Sequence, residues 1–241
     1  MNIFKEMLAS SAAATTNIEF VGGSAVGYAG STFEINVNIT SLTGGLDTSP
    51  SEGDVVVAFI SVGEYSYLVT GTANLPAGWT DITGEVSELD SHGCKFRAFY
   101  KIMGITPDTS FTIPGGTGNN NDAGAAGILC FRGAHQTTPI YSYSTATGTD
   151  SSLPHPPSII AAPTGSVLAI SGANGMDSVQ KITYLPDLDT GYIAHGGDAG
   201  DTDLGVGTKE WTGSFYAPAT FGGSTSTADC WCAASIVIQP Q

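Results

Sequence analysis

The chain has 241 residues, 41% of them hydrophobic and only 12% charged, about half the charge of an average globular protein, with 32 glycines and abundant serine and threonine filling the difference. Seven basic against 22 acidic residues give a formal charge of −15, a field that repels the phosphate backbone of nucleic acid and the anionic surface of a membrane. No apolar run reaches the roughly eighteen residues of a helical membrane span, and the composition fits neither a disordered polyelectrolyte nor a helical bundle.

Residues 1–16 stand apart from the rest of the chain. Ile3, Phe4, Met7 and Leu8 fall at i, i+1, i+4 and i+5, one apolar stripe about two turns long. A helix that short does not hold in water, so the segment is expected to be an anchor, helical or extended, that docks the protein on something larger. Glu6 sits where a secretory signal needs its apolar stretch, so the N-terminus reads as unprocessed and the protein as made in a cytosol.

From residue 17 onward the apolar residues recur with period two, the strand signature, and residues 17–241 are expected to form a single all-β domain. A first strand is placed near Ile18 to Val21. In Ser31 to Thr40, Phe33, Ile35, Val37 and Ile39 alternate with polar residues, so one face is buried and one wet. Further strands are read at Asp54 to Val62, Cys94 to Met103, Thr109 to Ile113, Ala125 to Arg132, Ser158 to Ala162, Ser166 to Ser171 and Cys230 to Gln239. Turn chemistry separates them, as in Pro76-Ala77-Gly78, Pro107-Asp108, Pro114-Gly115-Gly116 and Pro163-Thr164-Gly165. Many short strands punctuated by Gly and Pro indicate an antiparallel β-sandwich or jelly roll. Gly115 to Gly124 and Asp187 to Gly207 read as loops. The only echo within the chain is Gly53-Asp54-Val55-Val56 against Gly165-Ser166-Val167-Leu168, too short to establish a repeat.

Several of these strands are apolar on both faces. In Asp54 to Val62, Val55, Val57 and Phe59 point one way and Val56, Ala58, Ile60 and Val62 the other. The second face must be covered either by loops of the same chain or by a neighbouring subunit, and a homo-oligomer, a trimer among the options, is the favoured reading.

Signatures of chemistry are sought and not found. Gly22-Gly23-Ser24-Ala25-Val26 and Gly222-Gly223-Ser224-Thr225-Ser226 lack the closing glycine of a nucleophile elbow. His92, His135, His155 and His195 have no ligand-spaced partner, and Cys94, Cys130, Cys230 and Cys232 read as buried free thiols. No cofactor is expected. Asp198, Asp201 and Asp203 lie close together in a glycine-rich stretch and carry the one metal alternative, calcium, against a simpler reading as solvated loop acids. Tyr192, Trp211 and Tyr216 are the candidate contacts for a receptor or glycan, since aromatic faces stack on sugar rings. Trp79 reads as a packed residue at a strand start.

One succession has a familiar form: Gly53-Asp54-Val55-Val56-Val57-Ala58-Phe59, Pro76-Ala77-Gly78-Trp79-Thr80, Phe99-Tyr100-Lys101-Ile102, Phe131-Arg132-Gly133-Ala134 and Thr138-Pro139-Ile140. It resembles a β-sandwich domain of tailed-phage and prophage-like structural proteins, over roughly residues 50 to 172. The resemblance implies a non-enzymatic virion protein made in the host cytoplasm and displayed on a head or tail as a decoration, fibre or spike component. Its implied partners are other virion proteins; the N-terminal segment has no counterpart in the family pattern and is read as this chain's own attachment device, and a host-surface glycan is the partner expected from the aromatic residues. No catalytic residue comes with the resemblance. The alternative is a carbohydrate-binding β-sandwich module of a bacterial protein.

Overall fold

A computed structural model describes residues 17–28, 32–63, 75–88, 93–117, 124–149, 153–175, 182–196, 202–223 and 230–241. The anchor residues Ile3, Phe4, Met7 and Leu8 lie outside the described residues, as do Asp198, Asp201 and His92. Every regular element among the described residues is a strand, and the architecture is an antiparallel β-sandwich.

The first sheet is built from β1 (Glu19–Tyr28), β3 (Val55–Gly63), β6 (Cys94–Ile102) and β8 (Gly124–Arg132), with the short β4 (Thr80–Asp81) and β5 (Val86–Glu88) both pairing with β6; its order is β1-β8-β3-β6-β4. The second contains β9 (Ile140–Gly148), β10 (Val167–Gly175), β12 (Thr190–Gly196), β13 (Thr202–Glu210) and β15 (Trp231–Ile238), in the order β12-β13-β10-β15-β9. Two ribbons complete the fold: β2 (Thr32–Asn38) with β7 (Ser110–Thr117), and β11 (Ile182–Tyr184) with β14 (Gly222–Gly223).

Because strand side chains alternate, each sheet has an inner and an outer face, and the sequence makes both apolar. Between the sheets, Val55, Val57, Phe59, Phe96, Leu129 and Phe131 of the first meet Leu204, Val206, Ile236 and Ile238 of the second, with Ala169, Ala173, Cys232 and Ala234 making room for the phenylalanines. Large against small is how two pleated faces interdigitate without voids. Outside the first sheet, Val56, Ala58, Ile60, Phe99 and Ile128 are covered by Ile35, Val37 and Ile39 of β2, by Phe111 and Ile113 of β7, and by Trp79 and Leu42. Outside the second, Leu168, Ile170 and Val237 are covered by Leu153, Ile159, Ile182, Trp211 and Phe221. The double-sided strands are therefore covered by the chain itself in four layers, and this pattern no longer calls for a neighbouring subunit.

Three expectations fail, the first at Pro114-Gly115-Gly116, read as a turn opening a loop, through which β7 continues to Thr117. The stretch from Asp187 to Gly207 contains β12 and β13 rather than one long loop, whereas Ser158 to Ala162 is not a strand and contributes only a single bridge, Ile159 to Tyr216. The glycines of β13 misled the reading. A Cβ on Gly205 would lie 2.5 Å from Leu185 Cδ2, and one on Gly207 2.4 Å from the Thr190 carbonyl oxygen and 2.7 Å from Leu188 Cδ1, so the covering layer and the neighbouring β12 backbone occupy those places.

The chain is also internally duplicated. With the short β5 set aside and the strands numbered within their own half, each sheet has the order first, last, second, fourth, third: β1-β8-β3-β6-β4 and β9-β15-β10-β13-β12. The short echo marks the second strand of each half. Gly53 and Gly165 both have φ of 81°, and each follows with the same turn, Asp54 N donating to Ser51 O (3.1 Å) and Ser166 N to Pro163 O (3.2 Å). Met103 N then donates to Asp54 O (2.8 Å), as Trp211 N does to Ser166 O (3.1 Å). Leu75-Pro76 leads to Thr80, paired with Tyr100 opposite Val57; Leu185-Pro186 leads with the same spacing to Thr190, paired with Thr208 opposite Ala169. Even an irregularity recurs: the register slips between Phe20 and Gly22 in β1 and at Tyr141 in β9, so Gly23 and Tyr143 are equivalent.

Candidate functional site

The sandwich has two lateral seams, which the duplication makes equivalent: β1 against β12, and β9 against β4 and β5. They are built differently. At the first, β1 is rich in glycine, and a Cβ on Gly27 would sit 1.7 Å from the His195 carbonyl oxygen, so only glycine lets β12 approach this closely. The Tyr192 ring fills the place a Cβ of Gly23 would take, and its hydroxyl donates to the Thr43 carbonyl. This seam is closed.

At the second seam larger side chains stand where the first has glycines. Tyr143 replaces Gly23, and Thr147, the equivalent of Gly27, donates from its hydroxyl to Glu88 Oε2 at 2.7 Å, tying the far ends of β9 and β5 together. Below that tie the sheets part into an open cleft of about 490 Å³ lined by Thr80, Asp81, Ile82, Tyr100, Ile140, Tyr141, Ser142 and Tyr143. The slip at Tyr141 is a bulge, a device that re-aims side chains, and it leaves Tyr141 51% and Tyr143 49% exposed. Asp81 is taken up structurally: it accepts from Arg97 and from the Gly84 amide (3.0 Å), while Arg97 lies 5.4 Å from the centre of the Phe99 ring. Half-exposed aromatic rings, apolar Ile82 and Ile140, and the hydroxyls of Thr80 and Ser142 make a surface suited to stacking a ring that also carries polar groups.

The three aromatic residues chosen from sequence do not form one surface: Trp211 and Tyr216 share the cluster outside the second sheet, and Tyr192 lies apart. Tyr192 packs against the core in the closed seam, Trp211 is 8% exposed beneath the second sheet, and Tyr216 lies partly buried beside it with its hydroxyl unpartnered among the described residues. Burial, with Asp187 and Asp189 nearby, pushes the Tyr216 phenol up to about 12. The Tyr141 and Tyr143 pair was missed because β9, Ile140-Tyr141-Ser142-Tyr143-Ser144-Thr145-Ala146-Thr147-Gly148, shows little apolar alternation. Tyrosine at period two was the available signal.

Asp203 is no loop ligand either. It is fully buried in β13, accepting from the Ile182 amide (2.9 Å) and lying 2.6 Å from His195 Nδ1. His195, which sequence reading leaves without a partner, thus belongs to a His–Asp pair, and among the described residues no hydroxyl or thiol bonds to its other ring nitrogen. The pair acts as a strut joining β11, β12 and β13. Among the described residues no group of three or more His, Cys, Asp or Glu is placed to hold a metal ion.

The motif residues behind the family resemblance serve the framework. Asp54 accepts from Arg132 Nε (3.0 Å), Arg132 Nη2 (2.9 Å) and the Ser51 amide (2.8 Å), fastening β3 to β8. At the same end of the sheet Asp108 accepts from Lys101 Nζ and from Trp79 Nε1. All four cysteines are buried free thiols. Burial pushes the Cys130 thiol well above its ordinary range, and the neighbouring Cys94 together with burial does the same to Cys232.

No family model, curated protein or solved structure matches this chain.

Proposed function

We propose that this chain is a non-enzymatic structural protein of a tailed-phage virion, displayed on the head or tail, held by its N-terminal segment, and contacting host-surface glycan through the tyrosine cleft. The observation that carries the reading is the inequality of the two seams. Where one half closes its seam with glycine, the other keeps it open and lines it with Tyr100, Tyr141 and Tyr143. Aromatic residues left half-exposed side by side in a groove mark an interaction surface. The net charge of −15 favours neutral or cationic saccharides over polyanionic ones. The virion assignment rests on the resemblance across residues 50 to 172. The same cleft serves the second reading, a carbohydrate-binding module of a bacterial protein.

A glycan array followed by titration calorimetry tests the cleft. Tyr143→Ala is expected to weaken binding about tenfold, the equivalent of about 1.4 kcal/mol, with little change in melting temperature because the ring is half in water. An array with no binder, or binding that survives Tyr141→Ala/Tyr143→Ala, removes the cleft reading. Mass spectrometry of purified particles tests the virion assignment: a chain absent from them is not a virion protein.

A further inference from the structure

The duplicated halves differ in how they treat the free edge of their first strand. In the first half, the connection from the outer ribbon to β3, residues 40–54, folds back along β1. Gly23 N donates to Thr43 O and Thr43 N to Gly23 O, both at 3.0 Å, while Leu46 N donates to Phe20 O (3.2 Å) and Asp47 N to Val21 O (2.9 Å). In the second half the corresponding connection, residues 160–166, is less than half as long. Among the described residues no segment pairs with the corresponding edge of β9, whose one strand partner is β15. By equivalence with Phe20, Val21 and Gly23, the groups left facing outward are the carbonyls of Ile140 and Tyr141 and both the amide and the carbonyl of Tyr143.

An open row of this kind is satisfied by extended backbone, as the first half demonstrates on itself. The other sheet edges are managed: β1 and β12 close on each other, and β4 and β5 are only two and three residues long. By contrast β9 runs nine residues with no charged residue and no proline, so it carries neither of the commonest guards against pairing. In a chain of net charge −15 a second copy is repelled from most of the surface, and this neutral edge is where two copies meet without opposing carboxylates. Among the described residues the carboxylates beside it are taken up, Glu88 by Thr147 and Asp81 by Arg97.

We propose that β9 pairs antiparallel with β9 of a second copy across a two-fold axis at Ser144, joining two five-stranded sheets into one continuous sheet. This register sets Tyr143 opposite Thr145 and Tyr141 opposite Thr147, aromatic against β-branched, pairs that stabilise a ladder. A two-fold axis perpendicular to the sheet keeps both clefts on the same side. The two tyrosine clefts then face each other across the axis and form one trough, to which each copy contributes Tyr141 and Tyr143. The pairing itself does not depend on what the cleft binds.

The test uses the full chain without any saccharide. Light scattering and sedimentation over roughly 1–100 μM should show a monomer–dimer equilibrium. Ser144→Cys should form a covalent dimer under mild oxidation far faster than Thr212→Cys on an exposed loop, the four native thiols being buried. Thr145→Lys, which installs the missing edge guard next to the axis, should raise the dimer dissociation constant at least tenfold while leaving the melting temperature of the monomer unchanged. A chain that stays monomeric throughout, a Ser144→Cys variant that cross-links no faster than the control, or an oligomer indifferent to Thr145→Lys would each overturn the proposal. Since none of these readouts involves a glycan, failure here is distinguishable from failure of the cleft reading.

Discussion

Replacing Arg132 should cost more than replacing the acid it serves. The Asp54 side chain is 2% exposed and the Arg132 side chain 36%, so the two partners of this ion pair sit in different solvents. Arg132→Met keeps the aliphatic stem but leaves a buried carboxylate with the Ser51 amide as its remaining donor. Breaking a fully buried pair costs about 3–5 kcal/mol, and the partial exposure of the guanidinium lowers that to about 2–4 kcal/mol here. Asp54→Asn leaves a cation that can turn to water and an amide oxygen still able to accept from Ser51, for about 1–2 kcal/mol. Urea unfolding of the wild type, both single variants and the double variant closes a cycle whose coupling energy should exceed about 1 kcal/mol. Equal costs for the two single variants, or coupling below about 0.5 kcal/mol, would mean that the pair behaves as an exposed surface contact and that the burial argument is wrong.

Three further outcomes are expected. The four thiols should resist a disulfide reagent in the native protein at pH 8 and react together once urea unfolds it; fast native labelling of Cys130 or Cys232 would contradict their burial and raised ionisation. Tyr28 and Tyr216 are both pushed up to about 12, so the folded chain holds protons that the unfolded chain releases above pH 10, and stability should fall as pH rises from 10 to 12. Urea midpoints measured across that range should fall less steeply in Tyr216→Phe, and an unchanged slope would remove this tyrosine from the account. Gly27→Val should open the closed seam and cost at least about 3 kcal/mol, because its Cβ would overlap the His195 carbonyl; a variant within about 1 kcal/mol of wild type would show that β1 and β12 are not held in contact.

Strands that bury apolar residues were legible from period two alone: β2, β3, β6, β8, β10 and β15 all lie where the alternation put them. What escaped was whatever depends on a distant part of the chain. In β13 Gly205 and Gly207 look like breakers until Leu185 and Leu188 are seen filling the space beside them. In β9 serine and threonine hide an edge strand whose polarity reflects its place at an open seam. The duplication left almost no mark in residue identity, since equivalent positions hold Asp54 and Ser166, Met103 and Trp211, and Tyr100 and Thr208. What persists is backbone hydrogen bonding, which a single sequence does not print. Asp203 and His195 became partners only because β12 and β13 pair, a contact no spacing rule announces.

The division of the two sheets along the chain also sets an order of events at the ribosome. Strands of the first sheet all lie within residues 19–132 and those of the second within 140–238. At about 5–20 residues per second, the first half waits roughly 5–20 s for its complement to be translated. During that interval Val57, Phe59, Phe96 and Phe131 have no opposite face to bury them. β15, which holds β9 and β10 together, is the last strand to emerge. A nascent chain of this design presents a sticky half-sandwich to its surroundings at the moment when neighbouring polysomes hold identical halves. Its yield should therefore depend on translation rate and chaperone supply more steeply than the stability of the finished protein suggests.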